Sequence, residues 1–221
     1  LTMSAIIVVV SLIWGDSHAP PVAAAVRDGV AKYGVWGYVA CNPDVTPVLG
    51  TWRPRVGKEA VKRNQAVLDF VRRKGIKIVI LASDGFVNTP PRANGSRDSL
   101  IVDDANESID PRNAMEVLRR GLRRTVSELQ RAGADVWIMR QVPMQRDVPS
   151  GLAFDAWLQH HELPEFGVKL AEHRRTHAAL DSIFSELERE GVHLLDPADV
   201  CFNPSRRSFI AAGGRSYYWD R

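Results

Sequence analysis

The chain has 221 residues, 45% of them hydrophobic, and 29 Lys and Arg against 26 Asp and Glu give a formal net charge of +3. That is enough apolar chain for one large α/β domain or two small ones, and too slight a charge excess for an obligate nucleic-acid binder. No span reaches the length of a transmembrane helix. The apolar start lacks a preceding Lys or Arg, and Asp16 and His18 interrupt any approach to a cleavage site, so it reads as a strand and not as a signal peptide. Starting so abruptly on a core strand, the chain is expected to be cut from a longer protein.

The first element is a β-branched run, Ile6 to Val10, continuing through Leu12 and Ile13 and stopping at Trp14-Gly15-Asp16-Ser17-His18. A short apolar run bounded by a turn predicts a strand buried on both faces of a parallel sheet. Pro20-Pro21 opens a helix with Val22, Val26 and Val30 on one face, ending near Tyr33-Gly34, and Val35–Ala40 is the second strand. A loop from Cys41 to about Arg55 carries Pro43, Pro47, Gly50 and Pro54, and Trp52 in it either packs the loop onto the body or lines a cleft, the first being expected. Lys58–Lys74 has helical spacing, and Ile76–Leu81 is the third strand, followed by Ala82-Ser83-Asp84-Gly85.

Asn88–Asp110 is polar and rich in Pro, Gly, Asn and Asp, the composition of a lid or insertion. Met115–Ala132 is the next helix and Ala134–Val142 the fourth strand, ended by Pro143. Arg146–Glu165 is irregular, with a short amphipathic piece at Phe154–Leu158. Phe166–Glu190 is mostly helical and Val192–Leu195 is the fifth strand, ending at Asp196-Pro197. Val200–Phe202, Ser208–Ala211 and Ser216–Trp219 are expected as small strands or a hairpin around Gly213-Gly214. The alternation predicts an α/β fold, a three-layer α/β/α sandwich with five parallel strands, flavodoxin-like in plan, in a single domain over 1–221.

Ligands in such sheets bind at the carboxyl ends of the strands, which draws attention to Ser17 on the turn after the first strand. A hydroxyl there stands above the sheet, and helix-start N–H groups can face developing negative charge. Ser17 is therefore a candidate nucleophile; equally, Asp16 or Ser17 can simply cap the next helix. Ser83-Asp84-Gly85 is the second candidate wall. A serine needs a base, and none of the six histidines is convincing. His18 adjoins Ser17 on a tight turn, His160, His161, His173 and His177 have polar neighbours suited to a surface, and His193 falls within a strand. There is no GxGxxG, GxxxxGK[ST], complete GxSxG or HExxH, and no His/Asp cluster suggests a metal. Arg119-Arg120 and Arg123-Arg124 read as a solvated helix face. Cys41 and Cys201 form one disulfide in an oxidising compartment or are two unrelated thiols.

Gly15-Asp16-Ser17-His18 after a core strand resembles the first block of the SGNH/GDSL hydrolase superfamily. More narrowly, WGDSHA, Cys41-Asn42-Pro43, Gln141-Val142-Pro143 with Asp147-Val148-Pro149, and Tyr217-Tyr218-Trp219-Asp220 resemble the SGNH domain at the C-terminus of bacterial membrane O-acyltransferases that modify cell-surface polysaccharides. The resemblance implies Ser17 as nucleophile and Asp220 as the carboxylate of a late Asp-x-x-His motif, whose histidine would fall two residues beyond Arg221. It implies an oxyanion hole from the N–H groups of Ser17 and a second-block glycine, Gly37, with Gly34 as rival. The third block of many relatives, Gly-x-Asn, is Ser83-Asp84-Gly85 here, so the asparagine donor does not map.

The function so implied is serine-dependent O-acyl transfer to, or removal from, a carbohydrate through an acyl-enzyme. It needs no metal or organic cofactor. Its partners are an acyl donor, a carbohydrate acceptor and an upstream membrane acyltransferase domain. The location is extracytoplasmic, which favours a Cys41–Cys201 disulfide. The alternatives are a free-standing GDSL esterase and a non-catalytic carbohydrate-binding module.

Overall fold

The computed structural model describes residues 10–30, 33, 36–86, 100–108, 110–143, 149–160, 168–202, 211–212 and 215–216. Its contacts divide the chain into two compact units, one of residues 1–139 with 179–195, the other of 140–178 with 196–221.

The first unit holds a five-stranded sheet: β1 (Val10–Gly15), β2 (Trp36–Cys41), β3 (Ile78–Ala82), β4 (Asp135–Met139) and β5 (His193–Leu195). The strand order is β2-β1-β3-β4-β5 and every pairing is parallel. This is the predicted architecture, and its cause is legible in β1. Leu12 and Trp14 point into one apolar cluster and Ile13 into another, so β1 is buried on both faces, as an unbroken apolar run requires.

The helices follow from handedness. The connection from β1 to β2 runs one way along the sheet, while those from β2 to β3, β3 to β4 and β4 to β5 run the other way. Right-handed crossovers therefore send the first helix to one face and the later ones to the opposite face. α1 (Ala19–Val30) packs Val22, Ala23 and Val26 against Ile13, Ile80 and Ala82. α2 (Glu59–Lys74), α3 (Pro111–Arg131) and the second half of α5 (Leu170–Arg189) cover the other face with Leu68, Val71, Val117, Leu118, Leu122, Val126, Leu129, Ile183, Phe184 and Leu187. Phe184 meets Phe86 edge-on, ring centroids 5.8 Å apart.

Several expectations are corrected. α3 starts four residues before Met115, because Asp110 accepts from the Arg112 N–H at 2.9 Å and Pro111 suits a first helical position. The end of the polar 88–110 stretch is not loose: Leu100, Ile101 and Val102 are buried, and Val102 bridges to Trp52, which joins Val45 and Ala60 in a small core. The arginines on α3 are not simply solvated. Arg120 pairs with the buried Asp103 at 2.9 Å, Arg119 and Arg123 share Glu186, and Arg124 donates to the Leu49 carbonyl. His193 is exposed and stacks on Trp137 at 4.4 Å.

In the second unit, α4 (Pro149–Leu158) is helical where an irregular stretch was expected, and α6 (Ala198–Cys201) replaces the strand expected at Val200–Phe202. The Asp196 carboxylate accepts from the Ala198 N–H at 2.9 Å and so starts that helical turn. His173 and His177 are buried, not on the surface. They are one helical turn apart on α5, and the His177 Nδ1–H donates to the His173 carbonyl at 2.9 Å. β6 (Ala211–Ala212) and β7 (Arg215–Ser216) form the antiparallel hairpin expected around 213–214.

Candidate active site

The order of the sheet reverses between β1 and β3, and their carboxyl ends stand side by side, Gly15 opposite Ala82. A crevice at such a point is where open α/β sheets bind ligands. Gly15 is needed for this closeness, since a Cβ there would lie 1.7 Å from the Ala82 carbonyl oxygen. The chain leaves β1 through Asp16, Ser17 and His18 and enters α1 at Ala19, with the Ala19 N–H donating to the Asp16 carbonyl at 3.0 Å. Ser17 is exposed on this turn.

Asp16, 4% exposed, ties the two strand ends together. Ser83 Oγ donates to its Oδ2 at 2.5 Å and the Gly85 N–H donates to the same oxygen at 2.8 Å. The His18 N–H donates to Oδ1 at 3.0 Å, and His18 Nδ1 pairs with Oδ1 at 3.2 Å. Burial alone would raise the Asp16 pKa; the hydrogen bonds from His18, Ser83 and the backbone N–H groups of His18 and Gly85 outweigh it and hold the value at about 2. The capping reading and the site reading therefore fall on different residues. Asp16 is the acceptor for the start of the turn, and Ser17 is left facing outward.

The wall beyond β2 adds Cys41, whose thiol donates to the Asp16 carbonyl at 3.2 Å, and Asn42, whose N–H donates to the Gly15 carbonyl at 3.0 Å. Burial pushes the Cys41 thiol up, and the Asp16 charge adds to it. Over Gly85 stand two side chains from the loop before α2. A Cβ at position 85 would meet Thr46 Oγ1 at 2.4 Å, Arg53 Nη2 at 2.8 Å and Ser83 Oγ at 2.8 Å. Sequence reasoning misses Thr46 and Arg53, since nothing in Trp52-Arg53-Pro54 marks an arginine that the fold buries.

Two expected participants stand elsewhere. Gly37 pairs with Ser11 near the amino end of β2, four residues before Cys41, which itself aligns with Gly15. At about 3.3 Å per residue its N–H lies about 13 Å from the strand end that carries Ser17, so it is not an oxyanion donor here. Cys41 and Cys201 are both free thiols and belong to different units. Asp220 and the rival Gly34 lie outside the described residues. Among the described residues there is no group of three potential metal ligands, and no helix is long and apolar enough to cross a membrane.

The chain is similar in structure to the periplasmic domain of a lipopolysaccharide acetyltransferase from Salmonella ser. Paratyphi A, with a TM-score of 0.65 and 13% identity over 97% of this chain and 79% of that one. It is more distantly similar to a GDSL-like lipase from Bacteroides thetaiotaomicron, with a TM-score of 0.45 and 7% identity over 94% of this chain and 77% of that one. No curated protein matches. A family model, SGNH domain (fused to AT3 domains), matches residues 10–221. Spanning the whole sheet and both strand ends of the crevice, that match shows that the chain belongs to the family of SGNH domains fused to AT3 domains.

Proposed function

We propose that this domain moves an acyl group, acetyl in the simplest case, to or from a hydroxyl of a cell-surface carbohydrate, with Ser17 as the nucleophile. The observation that carries the reading is the exposed Ser17 on the turn at the β1/β3 reversal, beside a buried Asp16 carboxylate that ties the two strand ends together. Ser17 attacks the acyl carbonyl, the proton passes to a histidine base, and the acyl-enzyme yields its acyl group to a sugar hydroxyl or to water. Asp220 orients that base. The upstream membrane acyltransferase domain supplies the acyl group, and the reaction takes place outside the cytoplasm. The family's fusion to AT3 domains and the likeness to a periplasmic acetyltransferase domain support this reading.

The test is Ser17→Ala in the full-length protein, read by cleavage of p-nitrophenyl acetate and by the O-acetyl content of the cell-surface carbohydrate. Both are expected to fall, cleavage by about a thousandfold or more. Unchanged cleavage and unchanged O-acetylation would remove Ser17 from the chemistry. Loss of cleavage with O-acetylation intact would point to an esterase that does not act on that carbohydrate.

A further inference from the structure

Arg53 is 7% exposed, yet its side chain forms no hydrogen bond and no ion pair among the described residues, and its Nε is buried without a partner. Beside it the Thr46 hydroxyl, on a residue 4% exposed, is in the same condition. The Asp16, Asp44 and Asp84 carboxylates lie close enough to attract the guanidinium, but none makes a hydrogen bond or ion pair with it, and buried donors left without an acceptor are costly. Both groups converge on one point, the face of Gly85 at the carboxyl end of β3. Gly85 stands third in Ser83-Asp84-Gly85, where Gly-x-Asn would place a side-chain amide. The space that a side chain at 85 would enter is filled by Arg53 Nη2 and Thr46 Oγ1.

Resting on the reading of Ser17 as nucleophile, we propose that Arg53, with Thr46 beside it, donates hydrogen bonds to the acyl carbonyl oxygen as Ser17 attacks, in place of the missing asparagine amide. As the Ser17 Oγ–C bond forms, the carbonyl π pair moves to oxygen and the serine proton passes to the histidine base. The oxyanion is the acceptor that the guanidinium lacks at rest. On collapse the C=O bond returns, the bond to the leaving oxygen or sulfur breaks, and the leaving group takes the proton from the base. A guanidinium suits this task better than an amide for charge, since hydrogen bonds between ions are roughly twice as strong as neutral ones.

The experiment compares wild type, Arg53→Met, Arg53→Lys and Ser17→Ala in the full-length protein, with p-nitrophenyl acetate as substrate and thermal unfolding beside it. Arg53→Met is expected to lower kcat by about a hundredfold or more with KM within about twofold, because the lost contact is made only in the transition state. Arg53→Lys recovers part of kcat. The Tm of Arg53→Met stays within a few degrees of wild type, since the resting side chain gives up no hydrogen bond or ion pair and only the attraction of nearby carboxylates is lost. Methylboronic acid, which forms a tetrahedral anionic adduct on a serine hydroxyl, gives a second readout: about tenfold weaker adduct formation in Arg53→Met. Activity within threefold of wild type, or a loss of activity that comes with a marked fall in Tm, overturns the proposal and leaves Arg53 a structural residue. Cleavage that survives Ser17→Ala instead overturns the reading of the nucleophile. A wild type that neither cleaves the ester nor takes up boronate overturns both.

Discussion

Replacing Asp16 with asparagine keeps the shape of the side chain and removes its charge, which isolates what the carboxylate does at the junction of β1 and β3. Each carboxylate oxygen receives a backbone N–H, Gly85 at 2.8 Å on Oδ2 and His18 at 3.0 Å on Oδ1. An amide has one oxygen, so either rotamer turns an NH₂ group toward one of these donors. A buried donor facing a donor costs about 1–3 kcal/mol. The second contribution comes from titration. The ordinary value of 3.8 is lowered to about 2 in the fold, and at about 1.4 kcal/mol per unit this is worth about 2 kcal/mol to the native state. The two overlap, since the same hydrogen bonds cause both, and Asp16→Asn should cost about 3 kcal/mol at pH 7. The sign of the pH dependence follows. A carboxyl with a depressed folded pKa stabilises the protein above its unfolded pKa, and that stability is lost as pH falls from about 4 to about 2. Urea unfolding of both proteins across pH 2–7 measures it: the difference between them should shrink by about 2 kcal/mol toward pH 2. A difference under about 0.5 kcal/mol at pH 7, or one that does not change with pH, would refute the assignment of Asp16 as the clamp of the two strand ends.

Two further outcomes follow from the packing. Gly15→Ala puts a Cβ against the Ala82 carbonyl at 1.7 Å, a backbone atom that moves only if the β1–β3 ladder opens, so a cost of about 3 kcal/mol and a fall in Tm of about 6–12 °C are expected; a fall under 2 °C would contradict the close approach. His173, 4% exposed, is pushed from 6.5 to about 4 by burial and then by the neighbouring His177 and Arg174. Its folded form favours the neutral ring, so stability is full above about pH 6.5 and declines by about 3 kcal/mol as pH falls to about 4. Denaturant midpoints at pH 7.5 and 4.5 for wild type and His173→Phe report this, and an equal acid loss in both would assign it to other groups.

The sheet is readable from the sequence because its cause is local. A run such as Leu12-Ile13-Trp14 cannot face water on either side, and glycine or proline closes most of the elements. The features that sequence reading misses are of a different kind. Asp110 and Asp196 start helical turns through single side-chain hydrogen bonds, and a stretch of one turn has too few apolar positions to show a period. His173 and His177 have polar neighbours in sequence, but those neighbours lie on other faces of α5, so local polarity misreports their burial. Gly37 is what the resemblance implies as the second-block glycine, and register decides against it: the pairing of Ser11 with Gly37 puts it at the end of the sheet away from Ser17.

The site itself divides along the same line. Ser17 and Ser83-Asp84-Gly85 are visible because the carboxyl ends of central strands are fixed by topology once the strands are known. Arg53 is not, because its loop returns to those ends only through tertiary contacts: Asn64 Nδ2 on α2 donates to the carbonyls of Thr46 and Val48 at 2.8 and 3.0 Å, the Leu49 N–H donates to Thr125 Oγ1 on α3 at 2.8 Å, and Trp52 bridges to Val102. Three separate elements thus hold the loop that brings a guanidinium over Gly85. A glycine at 85 makes sense only with that loop in place, since the space it leaves is already taken. The departure from Gly-x-Asn and the burial of Arg53 are therefore one feature, and Gly85→Asn should be read as a steric intrusion on Arg53 and Thr46, with no restored donor.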